Sequence, residues 1–486
     1  MSRYAAALDF GSAKVALAVG EKTPGGIRIV SYHDAPSAGI ECGEIVNDFK
    51  VKEIVRSLID QAQADLQQEI EEVTVSLSGR ILHSRELPCV INRTDPKAYI
   101  TEEEVRQITR ARYNATLEDG EIVFEAVPQK YSTEERFGIN HDELIGMVGG
   151  TLETTFRIFY GKKAIIDRRI TVLDNCGLKL NKAILSPIAS ARAVLTRPEM
   201  ENGVALVDIG KSTTEVAIVK DNTVREVAII PFGGETVTND IKNVTGITNQ
   251  WAETIKILHG RCCEEYAVEN KKIILKNEND SDDGEVELSL LARVIEARMS
   301  EIFDAVRYVI EQSGYASKLT SGVVITGGSS HLENILQLAN ALIGQKVRLA
   351  APQGSIDGGS VEEAFDVYAA TAVGLVLETL EPLLSHAIEF KKETAAQAAA
   401  KPADSSLFTE EDDLEEDDDR PSAREERERR REEERRAKEL RKQQEAQRKR
   451  EEAERKAREK AERAEKKKKE PSFFDLLFSD NDNDKA

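Results

Sequence analysis

Three short segments of this 486-residue chain combine glycine with small polar residues where the chain would turn. The segments that begin at Asp9 and Asp208 each run Asp-x-Gly into small residues, with apolar stretches on both sides, which predicts two β-hairpins with polar tips. In the third, an apolar stretch at 322–325 is followed by Gly327-Gly328-Ser329 and a helical pattern at 331–343. This turn favours a phosphate or nucleotide, because glycine lets a ligand approach the backbone and a helix N-terminus offers free N–H groups. Taken singly each segment is weak support, because most such turns are structural.

The elements that would position these segments alternate between strands and helices. Helical patterns cover residues 51–66, 102–113, 163–176 and 288–313. Such alternation predicts α/β layers, and the repeated Asp-x-Gly design predicts two related halves facing one another. Three predicted strands at 84–92, 121–131 and 149–159, around the helix at 102–113, form a separate small module.

The order of the three turns resembles the phosphate-1, phosphate-2 and adenosine motifs of the actin-like ATPase superfamily. Further stretches at 72–79, 185–195, 232–241 and 252–256 resemble the FtsA family of bacterial cell-division proteins. The resemblance runs over roughly residues 3–390 and is specific in order and spacing. It implies an α/β fold of the actin-like ATPase type: two related α/β halves, an FtsA-type inserted strand–helix–strand subdomain and a charged C-terminal tail.

The resemblance implies a site for ATP and Mg²⁺ between the two halves. Backbone amides and hydroxyls of the hairpins would hold the phosphates. Asp9 and Asp208 would hold Mg²⁺ through water, which suits a cation that takes few carboxylates and keeps several waters. The implied cofactor-binding residues are Asp9, Gly11, Ser12, Ala13, Lys14, Asp208, Gly210, Lys211, Ser212, Thr213, Thr214, Gly233, Gly234, Glu235, Glu253, Lys256, Gly327, Gly328 and Ser329.

The resemblance also implies a division into subdomains. These are 1A at residues 1–83 and 161–202, an inserted SHS2-type subdomain 1C at 84–160, 2A at 203–235 and 288–392, and 2B at 236–287. Subdomain 1C would contact other subunits and later division proteins. A simple structural lid is the alternative interpretation of this insertion.

Two departures from the family pattern bear on catalysis. Lys211 stands where the family commonly has glycine; it would either pair with a phosphate or fill the space left for one. Ser186 stands where the family commonly has a glutamate, which removes a carboxylate expected near the attacking water. Because hydrolysis needs a group that orients or deprotonates that water, we expect ATP binding with weak or absent ATPase activity.

Composition excludes several classes of protein. The chain carries 67 Lys and Arg against 88 Asp and Glu, a net charge of −21, which argues against a nucleic-acid binder. Five scattered cysteines without a C-x-x-C pair predict reduced thiols and a cytoplasmic location. Asp9 interrupts the N-terminal apolar stretch, so a signal peptide is not predicted. There is no apolar run of 18 residues, so any membrane contact would be peripheral.

The C-terminal 94 residues differ from the rest, because 55 of them are charged. Residues 393–423 predict a flexible acidic linker, with ten acids and no base between 404 and 419. Residues 420–469 carry a net charge of +9 and eleven glutamates with Lys or Arg four positions later. The stretch at 424–469 is therefore either a single solvated helix or a disordered spacer.

Residues 470–486 end the chain with a short apolar group and an acidic tail. Four lysines at 466–469 precede the apolar side chains, which are Phe473, Phe474, Leu476, Leu477 and Phe478. Basic residues followed by a short amphipathic helix predict reversible binding to an anionic membrane. A linear motif that docks in a protein groove is the rival interpretation.

Together these features favour a cell-division adaptor. It would bind ATP, self-associate head-to-tail into filaments, and take the C-terminal peptide of FtsZ on residues 236–287. The tail would tether FtsZ to the inner face of the cytoplasmic membrane at the division site, and later division proteins would be recruited there. The alternatives are a kinase-like or chaperone-like ATPase of the same superfamily, or a PilM-like pilus-assembly adaptor.

Overall fold

The computed structural model describes residues 4–267, 271–276, 282–353, 356–387 and 390. The chain divides into two units, Met1–Glu393 and Thr394–Ala486, and all of the described residues belong to the first unit. The predictions for the linker at 393–423, the helix or spacer at 424–469 and the terminal segment at 470–486 therefore lie outside the described residues.

The described part of the chain alternates strands and helices. The strands are β1 Tyr4–Phe10, β2 Lys14–Thr23, β3 Gly26–Pro36, β4 Ile40–Glu41, β5 Glu44–Ile45, β6 Glu72–Leu77, β7 His83–Asn92, β8 Glu121–Ser132, β9 Thr151–Lys162, β10 Lys179–Leu185, β11 Val204–Ile209, β12 Thr214–Lys220, β13 Thr223–Ile230, β14 Lys272–Lys276, β15 Asp282–Glu287, β16 Val323–Thr326 and β17 Val347–Leu349. The helices are α1 Asp48–Leu66, α2 Glu102–Arg112, α3 His141–Leu144, α4 Ala164–Asn175, α5 Ser186–Val194, α6 Arg197–Asn202, α7 Gly234–Thr245, α8 Asn249–His259, α9 Leu288–Gln312, α10 Ile335–Ile343 and α11 Ala370–Leu380.

Two five-stranded sheets share one topology. The first has the order β3-β2-β1-β6-β10 and the second has the order β13-β12-β11-β16-β17. In each sheet the first three strands form an antiparallel meander, and the last two are parallel to its innermost strand. The prediction of two related α/β halves is therefore confirmed.

Each hairpin that carries an Asp-x-Gly turn is anchored in a buried core. Leu8 and Leu17 of the first hairpin are fully buried, as are Val207 and Val216 of the second. Strands covered on both faces are near-continuously apolar, which is why these segments read as apolar runs rather than as alternating patterns. The polar turn residues are thus held at the ends of rigid strands.

The insertion, residues 84–160, folds around a hydrophobic core of its own, separate from the cores of the two halves. Its sheet has the order β7-β9-β8, and α2 packs on it through Val105 and Ile108. The Thr101 side chain caps α2 by accepting a hydrogen bond from the Glu104 backbone N–H at 3.3 Å. The predicted strand–helix–strand–strand order of the insertion is present, with the short helix α3 added between β8 and β9.

A segment that we call the exit strap, residues 381–387, follows α11 and is fastened by two buried carboxylates. Glu378 accepts hydrogen bonds from the backbone N–H groups of Leu383 at 3.0 Å and Leu384 at 2.9 Å. Glu125 of the insertion accepts one from the His386 N–H at 2.6 Å and one from the Ser385 hydroxyl at 2.8 Å. The strap therefore ties the insertion to helix α11.

Candidate functional site

The first hairpin places Asp9 at the end of β1, where neighbouring elements hold the turn. The Ser76 hydroxyl of β6 accepts a hydrogen bond from the Phe10 N–H at 2.9 Å. At the tip, Ser12 accepts one from the Gly43 N–H at 3.0 Å. Lys14 follows at the start of β2, and its ammonium lies 2.6 Å from the Asp34 carboxylate. The lysine is therefore already paired within its own half.

The second hairpin places Asp208 at the matching position of the other half. Ser190 of α5 donates a hydrogen bond to the Asp208 carboxylate at 2.8 Å. The tip closes through the Gly210 N–H, which donates to the Thr213 carbonyl at 2.9 Å. Thr214 is fully buried, and its hydroxyl donates to the Phe232 carbonyl at 2.8 Å. Thr214 thus secures the hairpin rather than facing open space.

The glycine turn before α7 fits directly against the tip of the second hairpin. A Cβ on Gly233 would lie 2.6 Å from the Gly210 carbonyl oxygen and 2.7 Å from that of Lys211. The Gly234 N–H donates to the same Gly210 carbonyl at 2.9 Å. Gly233 is needed for this close packing of two backbones, which a side chain would prevent.

The third turn approaches Asp208 from strand β16. Gly327 has φ +86°, and a Cβ there would lie 2.2 Å from a carboxylate oxygen of Asp208. Ser329 donates to the Gly210 carbonyl at 3.2 Å, so the third turn and the second hairpin are joined.

The helix predicted at 331–343 is wrong at its beginning. A 3₁₀ turn occupies Gly328–His331, and α10 begins only at Ile335. The physical reason is Asn334, whose left-handed backbone at φ 63° separates the turn from the helix. The glycines therefore do not lie at the N-terminus of an α-helix, and the expected free N–H groups of that helix are displaced.

Helix α8 contributes Glu253 and Lys256, which meet each other. The Lys256 ammonium lies 2.7 Å from the Glu253 carboxylate and also donates to the Gly234 carbonyl at 3.0 Å. Burial lowers the pKa of Lys256 below its usual value, and the hydrogen bond and charge of Glu253 offset only part of this. This lysine fastens α8 to the first turn of α7.

These elements surround one cavity of about 340 Å³. It is lined by all of the cofactor-binding residues that the sequence predicts except Thr214, Gly233 and Glu235. Thr214 and Gly233 lie behind the lining, and Glu235 accepts a hydrogen bond from Ser212 at 3.0 Å. Further lining residues, absent from the prediction, include Ser78, Ser186, Glu215, His331, Tyr368 and Thr371.

The carboxylates of the cavity repel one another and are poorly solvated. Burial raises the pKa of Asp9, and burial together with the charge of Asp9 raises the pKa of Asp208 to about 6. Because the charge of Asp9 acts on Asp208 and both residues line the cavity, the two hairpins bring these carboxylates into one site. A cation between them would relieve both effects.

Glu215 is the functional-site candidate that sequence reasoning missed. It lies on β12 opposite Asp208, and burial raises its pKa to about 8. Ser78, which directly follows the first half's β6, donates a hydrogen bond to its carboxylate at 2.5 Å across the cavity. A charged residue inside an otherwise apolar strand was the signal that would have singled it out.

Ser186 occupies the first turn of α5 and is buried. Its hydroxyl donates to the Leu77 carbonyl at 3.1 Å, so the side chain is used to fasten α5 to β6. Within the described ranges, no three His, Cys, Asp or Glu side chains are grouped so as to hold a metal ion. A cation here would therefore rest on the Asp9 and Asp208 pair and on water.

Three further observations concern parts of the described chain outside the cavity. All five cysteines are free, as expected of reduced thiols. Among the described helices, none has both the length and the apolar character needed to cross a bilayer. The insertion exposes Val90, Tyr99 and Phe137 to solvent.

The paired sheets and the cleft between their hairpins have the arrangement of an actin-like fold, and a solved structure supports this fold. A chain of the PilM-PilN type IV pilus biogenesis complex matches 78% of this chain and 99% of its own length with a TM-score of 0.55. At 15% identity this likeness shows a common fold alone.

The chain belongs to the FtsA family of cell-division proteins. The family model for Cell division protein FtsA matches residues 205–374. The chain is 30% identical over 375 residues to Cell division protein FtsA of Pseudomonas aeruginosa, covering 77% of this chain and 88% of that protein. It is 29% identical over 376 residues to the protein of the same name from Neisseria meningitidis serogroup B, covering 77% and 89%. The resemblance inferred from the motifs is thereby confirmed.

Proposed function

We propose that this chain is a division adaptor that binds ATP with Mg²⁺ in the cavity between its two halves. The observation that carries the proposal is the convergence of two aspartates, from matching hairpins, on one cavity. Their raised pKa values favour a bound cation, and two carboxylates with room for water suit Mg²⁺. The donor set of the cavity therefore fits the group that the family resemblance implies.

The chemistry supplied by a bound Mg²⁺ would be neutralisation of phosphate charge. Asp9 and Asp208 would hold it through water, while Ser12 and Thr213 offer hydroxyls to the phosphates; the Ser212 hydroxyl already donates to Glu235. The Gly327-Gly328-Ser329 turn and α8 would flank the nucleoside. Because Ser186 supplies no carboxylate, we expect slow ATP turnover or none.

The wider role proposed is tethering of FtsZ to the cytoplasmic face of the inner membrane at the division site. Residues 236–287 would receive the FtsZ C-terminal peptide, and residues 84–160 would contact later division proteins. Head-to-tail contacts between bodies would form filaments. The apolar side chains at 473–478 would enter an anionic membrane, and filaments would multiply these weak contacts into avidity.

Two alternatives have less support. A kinase-like or chaperone-like ATPase would need a group to activate its nucleophile, and Ser186 is not one. A PilM-like pilus adaptor shares the fold with this chain, whereas the FtsA relatives share 29–30% of their residues over nearly nine-tenths of their length.

The nucleotide site is tested by Asp208→Ala in the full chain. We expect it to weaken MgATP binding by about tenfold or more in titration calorimetry, because one of two cation-holding carboxylates is lost. The matched control is Asp304→Ala on the exposed face of α9, which should leave binding unchanged. Undiminished MgATP affinity of the Asp208 variant would refute the site.

The tether is tested by co-sedimentation with anionic liposomes, with and without ATP. The full chain is compared with a chain that ends at Lys469 and so lacks the terminal apolar side chains. We expect only the full chain to sediment, and more of it with ATP. Equal sedimentation of the two chains would contradict membrane attachment through this segment.

A further inference from the structure

Three ammonium groups line the cavity, and they differ in how firmly each is held. Lys14 lies 2.6 Å from Asp34, and its side chain is 22% exposed. Lys256 lies 2.7 Å from Glu253 and is 10% exposed. Lys211 lies 3.9 Å from Glu235 and is 46% exposed. Lys211 is therefore the most loosely held cation of the three.

The partner of Lys211 is fixed without it. The Glu235 N–H donates to the Lys211 carbonyl at 2.7 Å, and its carboxylate accepts a hydrogen bond from the Ser212 hydroxyl at 3.0 Å. Glu235 also lies in the first turn of α7, where a negative charge is favoured. Glu235 can thus keep its position when the ammonium of Lys211 moves away.

The charge balance of the cavity favours movement of Lys211 towards a bound polyphosphate. Four carboxylates line the cavity, from Asp9, Asp208, Glu215 and Glu253. A polyphosphate would add several negative charges beside them, and Lys14 and Lys256 are already paired. The charge of Lys211 also lowers the pKa of Lys256, so its ammonium acts within the same part of the cavity.

We propose that Lys211 leaves Glu235 when the nucleotide binds and pairs instead with the polyphosphate of that nucleotide. This inference rests on the proposed function, since it requires a nucleotide in the cavity. Glu235 then acts as a competitor for the lysine and lowers nucleotide affinity. A charge-assisted contact to phosphate is stronger than a half-exposed ion pair at 3.9 Å, so the exchange is favourable.

If Glu235 competes with the nucleotide for Lys211, substitutions at the two positions should change MgATP affinity in opposite directions. Lys211→Gln removes the phosphate contact and should weaken MgATP binding about fivefold to tenfold. Glu235→Gln removes the competitor and should tighten binding about twofold to fivefold. If the pair were only a fixed clamp on the hairpin, both substitutions would loosen the turn and weaken binding.

The experiment is calorimetric titration of the full chain with MgATP. Lys211→Gln, Glu235→Gln and the double variant are compared. The charge-matched control is Lys242→Gln, which changes an exposed lysine in the last turn of α7. We expect the double variant to bind like Lys211→Gln, because Glu235 has no lysine left to hold. Lys211→Arg keeps the charge and should retain affinity.

Failure of the two proposals can be told apart. If the wild-type chain does not bind MgATP, both the proposed function and this inference are overturned. If the wild type binds and the two single variants shift affinity in the same direction, or not at all, only the partner exchange is overturned. Thermal melting without nucleotide establishes that each variant is folded.

Discussion

The crossing of α5 and α11 depends on Gly374, and replacing this glycine with alanine is a sharp test of the fold. A Cβ built on Gly374 would lie 1.8 Å from the carbonyl oxygen of Ala189 and 2.4 Å from its carbonyl carbon. Both atoms belong to the backbone of α5, so no side-chain rotation can relieve the clash. The two helices must separate by about 1 Å or more to admit the methyl group.

The magnitude follows from two opposing terms. Overpacking a well-packed core costs about 1–3 kcal/mol and occasionally more, and a clash with a helix backbone belongs at the upper end. Alanine in a helix is favoured over glycine by about 1 kcal/mol, which offsets part of this. We therefore expect Gly374→Ala to lower the free energy of unfolding by about 2 kcal/mol.

The same substitution should reach the cavity. Ser190 of α5 lies 3.0 Å from the Thr371 hydroxyl of α11 and donates to Asp208 at 2.8 Å. Separating the helices breaks this bridge, so MgATP affinity should fall together with stability.

The assay is urea unfolding followed by circular dichroism, with Gly358→Ala as the control. No atom lies within 4 Å of a Cβ at Gly358, so this alanine should change the unfolding free energy by less than about 0.5 kcal/mol. A Gly374→Ala protein as stable as the wild type, or more stable, would show that the helices do not cross as closely as described.

Three other substitutions give separate expectations. Glu125→Gln should flatten the pH dependence of unfolding: burial raises the pKa of Glu125 from 4.5 to about 8, so the folded chain keeps a proton and loses stability between these pH values by up to about 1.4 kcal/mol per pH unit. Urea unfolding at pH 5–8 measures this. If the free energy of unfolding changes with pH as steeply in the variant as in the wild type, the raised pKa of Glu125 is contradicted. Arg169→Lys should lower the thermal midpoint, because Arg169 donates to three backbone carbonyls that lysine cannot all reach, whereas Arg168→Lys on the exposed face should not. Ser78→Ala should speed hydrogen exchange at the second hairpin by removing the bond to Glu215, at a cost of about 1 kcal/mol; equal exchange rates would contradict that link.

The parts of the site that sequence could predict are those with a local signal. Asp9 and Asp208 follow apolar strands and precede small residues, and this pattern alone places each carboxylate at the end of a strand. The helix predicted at 288–313 is observed as Leu288–Gln312, because its apolar spacing is regular over its whole length. Such features need no knowledge of distant partners.

The parts that escaped prediction depend on long-range contacts or on single backbone angles. Ser78 and Glu215 are 137 residues apart, and nothing in either local sequence indicates that they meet. Glu125 and the exit strap are likewise joined across more than 250 residues. Asn334 changes the start of α10 through one left-handed residue, while the apolar pattern runs on without interruption.

The expectation of slow turnover gains a structural argument from Glu215. The cavity does contain a carboxylate besides those that would hold Mg²⁺ and the one that pairs with Lys256, so the absence of glutamate at Ser186 is not decisive by itself. Glu215, however, accepts the Ser78 hydrogen bond and thereby joins the two halves at the cavity. Burial also raises the pKa of Glu215 to about 8, so this group is mostly protonated at neutral pH, and a protonated carboxyl group cannot take a proton from the attacking water. We therefore expect this cavity to retain its nucleotide rather than consume it, which suits a protein whose proposed task is to hold partners together.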